Sequence, residues 1–147
     1  MKKLAIQIKA ISDYKILAIT TTQRKDYAFA SLLNKQLNIS LEKEKDFSFH
    51  DGEEIRSFSL YKTNLKEESL NVILLGAKDG NISLVAKTKQ MDFFILFEKG
   101  IPDYIFKEVS EELREISQIQ YVTTLPKKTE EEFNLILADL ELQISEK

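Results

Sequence analysis

Cysteine is absent from the 147-residue sequence, and histidine occurs once. Without cysteine the chain has no disulfide, no thiolate metal ligand and no cysteine nucleophile. His50 is predicted to lie at a hairpin tip, where a histidine is more often a solvated turn residue than a general base. Carboxylate runs such as Glu130-Glu131-Glu132 fall on predicted solvent faces, and no EF-hand or His-Glu-x-x-His spacing is present. The sequence therefore singles out no catalytic residue, no metal site and no cofactor.

Long apolar runs and a strong excess of charge are also lacking. No apolar run approaches the roughly 20 residues that a membrane span needs. Gln7 and Lys9 interrupt the amino-terminal segment before the apolar core of a signal peptide develops. A formal net charge of −3 gives no basic face for duplex nucleic acid. These features predict a cytoplasmic protein with no membrane partner, and they argue against nucleic acid.

Glycine and proline are scarce, with four and two residues. This scarcity favours regular elements joined by short turns. A chain of this length is expected to form one domain with a self-sufficient core. The prediction is a single α+β domain over residues 1–147, in which residues 126–147 form a C-terminal helical extension.

The segment 91–98 is predicted to be the central strand of the sheet. Residues 93–97 are five consecutive large apolar residues, without the alternation of a strand that has one solvated face. The segment is aromatic, β-prone and free of proline, so it would readily pair with copies of itself if exposed. We therefore expect it to be buried on both faces.

The remaining pattern predicts an α+β fold with a mainly antiparallel sheet of about six to eight strands and three helices. The other strands are predicted at 3–9, 14–20, 47–50, 55–61, 70–75, 82–85 and 119–125, with a polar turn at 62–68 and hairpin turns at Asp51-Gly52 and Asp79-Gly80. Helices are predicted at 23–38, from Pro102 and from Thr129 to about Ile144. The first two should cover the central strand, and the last should pack on an outer face.

Two of these helices carry apparent capping residues. Threonines 20–22 are expected to cap the first helix, because their hydroxyl groups accept hydrogen bonds from first-turn amides. Thr129 with Glu132 has the spacing of a capping box for the last helix.

Several short matches run in the same order as these elements. Lys25-Asp26-Tyr27 follows the threonine-rich strand end, Leu-Leu-Asn occupies 32–34, and Asp92 lies between two apolar residues. In these features the chain resembles the IPExxxVDY family of small uncharacterised bacterial proteins, over roughly residues 6–125. Residues 85–87 are Val-Ala-Lys where the family motif has Ile-Pro-Glu. Because the family has no known function, the resemblance implies no catalytic residue.

The junction between the second strand and the first helix is a candidate anion site. Thr22, Arg24 and Lys25 would place a hydroxyl group and two cations beside a helix amino terminus, which carries partial positive charge. The junction lacks the glycines of a phosphate-binding loop. Simple helix capping is the competing interpretation.

Asp92 is predicted to be a structural polar residue at the start of the central strand. Met91 and Phe93 flank it, so its carboxylate is expected to be buried. A buried carboxylate must accept hydrogen bonds or pair with a cation. We expect Asp92 to bind backbone amides at the sheet end, with a lysine or arginine from a neighbouring element as a second partner.

The last predicted helix has a second apolar strip formed by Leu135, Ala138 and Leu142. These residues project away from Phe133 and Leu140 on the main apolar face. A helix on one side of a domain does not need two apolar faces. Either the helix lies across a groove, or the strip is an interface with a protein partner or with a second copy of the chain.

Three functions follow as hypotheses. A non-enzymatic protein-interaction domain agrees with the second strip and with the poverty of catalytic groups. The alternative is a binding or enzymatic site for a small anionic molecule near residues 22–25. A third is RNA binding through sheet aromatic residues with Lys87 and Lys89.

Overall fold

The computed structural model describes residues 15–65, 70–97 and 101–145. The strand predicted at 3–9 lies outside these ranges. The described helices are α1 (Asp26–Leu37), α2 (Asp103–Glu115) and α3 (Lys127–Ser145). The described strands are β1 (Lys15–Thr21), β2 (Glu42–Lys43), β3 (Phe47–Asp51), β4 (Glu54–Phe58), β5 (Leu60–Leu65), β6 (Leu70–Gly76), β7 (Lys78–Asp79), β8 (Ile82–Ser83), β9 (Phe93–Phe97) and β10 (Ile119–Thr124).

The main sheet has six strands in the order β10-β1-β9-β6-β5-β2, and every neighbouring pair is antiparallel. Strand β9 lies inside the sheet between β1 and β6, and all five of its residues are buried. The predicted α+β fold with three helices is confirmed. The continuous apolar run correctly identified the central strand, because only a strand covered on both faces tolerates it.

Helices cover both faces of β9, and its side chains alternate between two core clusters. Phe93, Ile95 and Phe97 pack on the side of α1 and α2. Phe94 and Leu96 pack on the side of α3. The Phe94 ring meets Phe133 of α3 edge-on, with 4.8 Å between ring centroids. This arrangement confirms the predicted positions of the helices.

The predicted threonine cap of the first helix is wrong. Helix α1 begins at Asp26, and its N-cap residue is Lys25, with no hydrogen bond from a capping side chain. The Thr20 hydroxyl instead donates to the carbonyl of Gln90 at 2.9 Å. The Thr21 hydroxyl donates to the carbonyl of Gln118 at 2.8 Å. The threonines therefore tether β1 to distant segments and leave the helix start uncapped.

The strand predicted at 55–61 is divided at Ser59 into two strands of different sheets. β4 pairs with β3 in a separate two-stranded sheet, and β5 pairs with β6 in the main sheet. β5 continues to Leu65, so most of the polar turn predicted at 62–68 is wrong. At the break, a Cβ atom added to Gly76 would lie 2.6 Å from the Ser59 hydroxyl oxygen. A side chain at position 76 would therefore force the Ser59 hydroxyl group to move.

Both predicted Asp-Gly turns are present. Gly52 and Gly80 adopt positive φ angles of 66° and 61°, a conformation that glycine reaches without steric cost. The second turn joins only the two-residue strands β7 and β8, so the return strand predicted at 82–85 ends at Ser83. A short 3-10 helix, Ala86–Thr88, then leads towards β9.

The capping box predicted for the last helix is also wrong. α3 begins at Lys127, and the amide of Glu130 donates to the carbonyl of Pro126 at 2.9 Å. Thr129 therefore lies within the first turn, where it is buried. The helix buries its predicted main face against the sheet through Phe133, Ile136, Leu137 and Leu140.

Candidate anion-binding site

A cavity of about 1200 Å³ lies between the start of α1 and the β7–β8 hairpin. Its lining includes residues at the ends of β6 and β9, Gly76 and Phe93. The segment before α1, the hairpin and the connection after the 3-10 helix supply its other walls. The cavity is thus lined by residues that are far apart in the sequence.

Cations outnumber carboxylates in this cavity. The lining cations are Arg24, Lys25, Lys78 and Lys89, and they come from three separate segments. The lining carboxylates are Asp26 and Asp92. The whole chain carries a formal charge of −3, so the cavity is a local concentration of positive charge. Such a concentration in a concave site attracts anions.

Asp92 lies in the wall of the cavity and is 8% exposed. One carboxylate oxygen accepts a hydrogen bond of 2.9 Å from the backbone amide of Thr21. The other lies 3.5 Å from the Lys78 amine and 3.8 Å from the Arg24 guanidinium. Both ionic distances exceed those of a hydrogen bond. The two cations therefore offset the buried charge and still have N–H groups to offer a ligand.

The uncapped start of α1 borders the same cavity. Residues 24–27 line it, and Lys25 is the N-cap residue. First-turn amides of a helix have no partner within the helix, and the helix dipole places partial positive charge there. The backbone therefore adds to the charge that the side chains supply.

Asp26, the first residue of α1, interacts with the core. Its carboxylate accepts a hydrogen bond of 3.2 Å from the hydroxyl group of Tyr61. Burial, followed by the charge of Asp26 and this hydrogen bond, raises the pKa of Tyr61 to about 12. One of the two carboxylates in the cavity, Asp26, thus already has a hydrogen-bond donor within the protein.

Tyr61 is expected to lower the stability of the protein at high pH. In the unfolded chain its phenol ionises near pH 10, but in the folded chain only near 12. The unfolded state loses the proton first, so the free energy of unfolding is unaffected below pH 10 and falls by about 2 kcal/mol as pH rises to 12. Urea unfolding of the wild type and Tyr61→Phe across this range measures the difference. An equal decline in both proteins would contradict the assignment.

Two of the three predicted anion-site residues, Arg24 and Lys25, line the cavity. Thr22 does not: its hydroxyl donates to the carbonyl of Gln118 at 3.2 Å. Sequence reasoning missed Lys78 as a site residue and assigned Lys89 only to the RNA hypothesis. The position of Lys78 directly before the Asp79-Gly80 turn was the only local signal available.

The predicted interface strip on α3 is only partly exposed. Leu135 is 69% exposed and Leu142 is 56% exposed. Ala138 is partly buried and packs against the core cluster that contains Phe133. Leu135 borders a second, smaller cavity of about 280 Å³ whose apolar lining includes Phe49. The exposed strip therefore consists of the two leucines.

The structure also places the residues that the sequence analysis considered for catalysis, RNA binding and metal binding. His50 is exposed in β3, where it pairs with Ile55 of β4. The phenylalanines of β9 are buried, whereas Tyr121 on β10 of the same sheet is 55% exposed. In ranges 15–65, 70–97 and 101–145, no three acidic or histidine side chains cluster as metal ligands would. No helix in the same ranges combines the length and hydropathy needed to cross a membrane.

No protein-family model matches the chain, and no curated protein matches it either. Membership of the IPExxxVDY family therefore remains a prediction.

Proposed function

We propose that the protein is a non-enzymatic binding domain that takes a small anionic molecule in the basic cavity. The observation that carries this proposal is the convergence of four cations from three chain segments on one concave site. These cations can attract and bind an anion without any further chemistry. Binding is therefore the function that we propose.

An anion in the cavity is expected to stabilise the fold. Like charges held near one another repel, and Asp92 offsets only part of that repulsion through Lys78 and Arg24. A bound phosphate group would accept charge-assisted hydrogen bonds from these cations. Because such a ligand binds only the folded state, it should raise the melting temperature. At ligand concentrations well above Kd, the increase should be proportional to the logarithm of the ligand concentration.

Arg24→Glu is expected to weaken the binding of inorganic pyrophosphate by at least about tenfold, because it replaces an attracting charge with a repelling one. Isothermal titration calorimetry at low ionic strength measures the affinity. Lys107→Glu is the matched control, since it makes the same charge change at an exposed position of α2 outside the cavity. Equal loss of affinity in both variants, or no binding by the wild type, would refute the proposal.

A protein contact through α3 is the second candidate, and the exposure of Leu135 and Leu142 supports it. We propose a second copy of the chain as the partner that covers the two leucines, because this partner is present in any purified sample. A large apolar side chain exposed on a soluble helix gains free energy when another surface covers it. The two leucines would then form the centre of a symmetric contact.

If a second copy covers the leucines, the wild type is a dimer in light scattering. The double variant Leu135→Glu with Leu142→Glu is then expected to be a folded monomer. Tyr104→Glu, which alters an exposed position of α2, is the control and should remain dimeric. A wild type that stays monomeric at high concentration would exclude the homodimer.

A further inference from the structure

The basic cavity also has apolar walls. Tyr27 lines it from α1 and is 63% exposed, and Ile82 lines it from β8 and is 37% exposed. A site for inorganic phosphate alone needs neither side chain. The cavity of about 1200 Å³ is also much larger than a phosphate group requires. The apolar walls therefore indicate a ligand with an apolar or aromatic part.

The cationic and the apolar lining residues of the cavity are close together in the sequence. Tyr27 is the second residue of α1 and follows directly after the extended segment that carries Arg24 and Lys25, so one short stretch of chain brings a tyrosine and two cations to the cavity lining. Asn81 and Ser83, on either side of Ile82, add an amide and a hydroxyl group to the lining. A planar heterocycle has a face that stacks on an aromatic ring and an edge that forms hydrogen bonds.

We infer that the ligand is a nucleotide, whose phosphates contact Arg24, Lys25 and Lys78 and whose base stacks on Tyr27. This inference rests on the proposed function and narrows it. Inorganic phosphate would use the cations and leave Tyr27 and Ile82 exposed to water. A ligand that contacts both the cations and the exposed apolar side chains explains this lining better than a ligand that contacts the cations alone.

The inference is tested by comparing ADP with inorganic pyrophosphate on the intact chain by isothermal titration calorimetry. ADP is expected to bind about tenfold more tightly than pyrophosphate, since stacking of a base on an aromatic side chain gives gains of that order. Tyr27→Ala is expected to reduce ADP affinity to that of pyrophosphate and to leave pyrophosphate binding unchanged. Tyr27→Phe keeps the ring and should keep the preference.

Tyr104→Ala is the matched control, because Tyr104 is a similarly exposed tyrosine of α2 outside the cavity. Equal affinity for ADP and pyrophosphate would overturn the nucleotide inference and leave the anion site intact. A preference for ADP that survives Tyr27→Ala would also overturn it, because the base would then lie elsewhere. Failure of both compounds to bind would overturn the proposed function as well.

Discussion

Replacing Phe94 with alanine is expected to lower the free energy of unfolding by about 3–5 kcal/mol. Phe94 is fully buried in β9, and its ring contacts Phe133 of α3 edge-on. The substitution removes apolar contact area and leaves a cavity between the sheet and α3, which the surrounding residues fill only in part. A domain of this size is stabilised by roughly 5–15 kcal/mol, so the loss is a large fraction of the total.

Urea unfolding followed by far-UV circular dichroism measures this loss. Tyr104→Ala removes an aromatic ring from a position that is 67% exposed and should change stability by less than about 1 kcal/mol. If Phe94→Ala is unfolded without denaturant, Phe94→Leu gives a smaller loss that can still be measured. A Phe94→Ala protein as stable as the Tyr104→Ala control would show that the two layers are not packed as described.

Asp92→Asn is expected to change stability and ligand affinity in opposite directions. The amide keeps an acceptor for the Thr21 amide but loses the charge that Lys78 and Arg24 offset. The free energy of unfolding should fall by about 1–3 kcal/mol. The cavity gains one unit of positive charge, so pyrophosphate should bind up to about tenfold more tightly.

Urea unfolding and calorimetry on the same preparation separate the two effects of Asp92→Asn. Asp46→Asn is the matched control, because Asp46 is an exposed carboxylate that pairs with Lys43 outside the cavity. It should change stability by less than about 1 kcal/mol and leave affinity unchanged. Reduced stability without tighter binding would place the anion away from Asp92.

The elements that sequence reasoning located correctly are those whose signal is local. The apolar run of β9, the Asp-Gly turns and the apolar faces of the helices each depend on neighbours along the chain. The division at Ser59 does not, because the alternation of residues 55–61 is the same whether they serve one sheet or two. The threonine cap failed for a related reason: the hydroxyl groups of Thr20 and Thr21 find partners about 70 to 100 residues away.

In the candidate site, too, residues with a local sequence signal were predicted and residues brought in by long-range contacts were not. Arg24 and Lys25 were predictable as site residues because the sequence places them at a strand-to-helix junction, although the helix was predicted to begin at residue 23 and begins at Asp26. Lys78 and Asp92 join them only because the fold brings the start of β7 and the residue before β9 close to the segment that precedes that helix. Tyr27 was visible in the sequence as part of a helix start, but the sequence did not show that the β7–β8 hairpin lines the same cavity.

The two outer strands of the main sheet are unequal. In the described chain, β2 has two residues, Glu42 and Lys43, both charged and exposed, whereas β10 has six. A short, charged edge resists the addition of a strand from another molecule, and a longer one resists it less. Two molecules that joined at β10 would form a sheet bounded by β2 at both ends. Such growth would be self-limiting, and among the described strands it keeps the aggregation-prone β9 at least two strands away from either edge of the sheet.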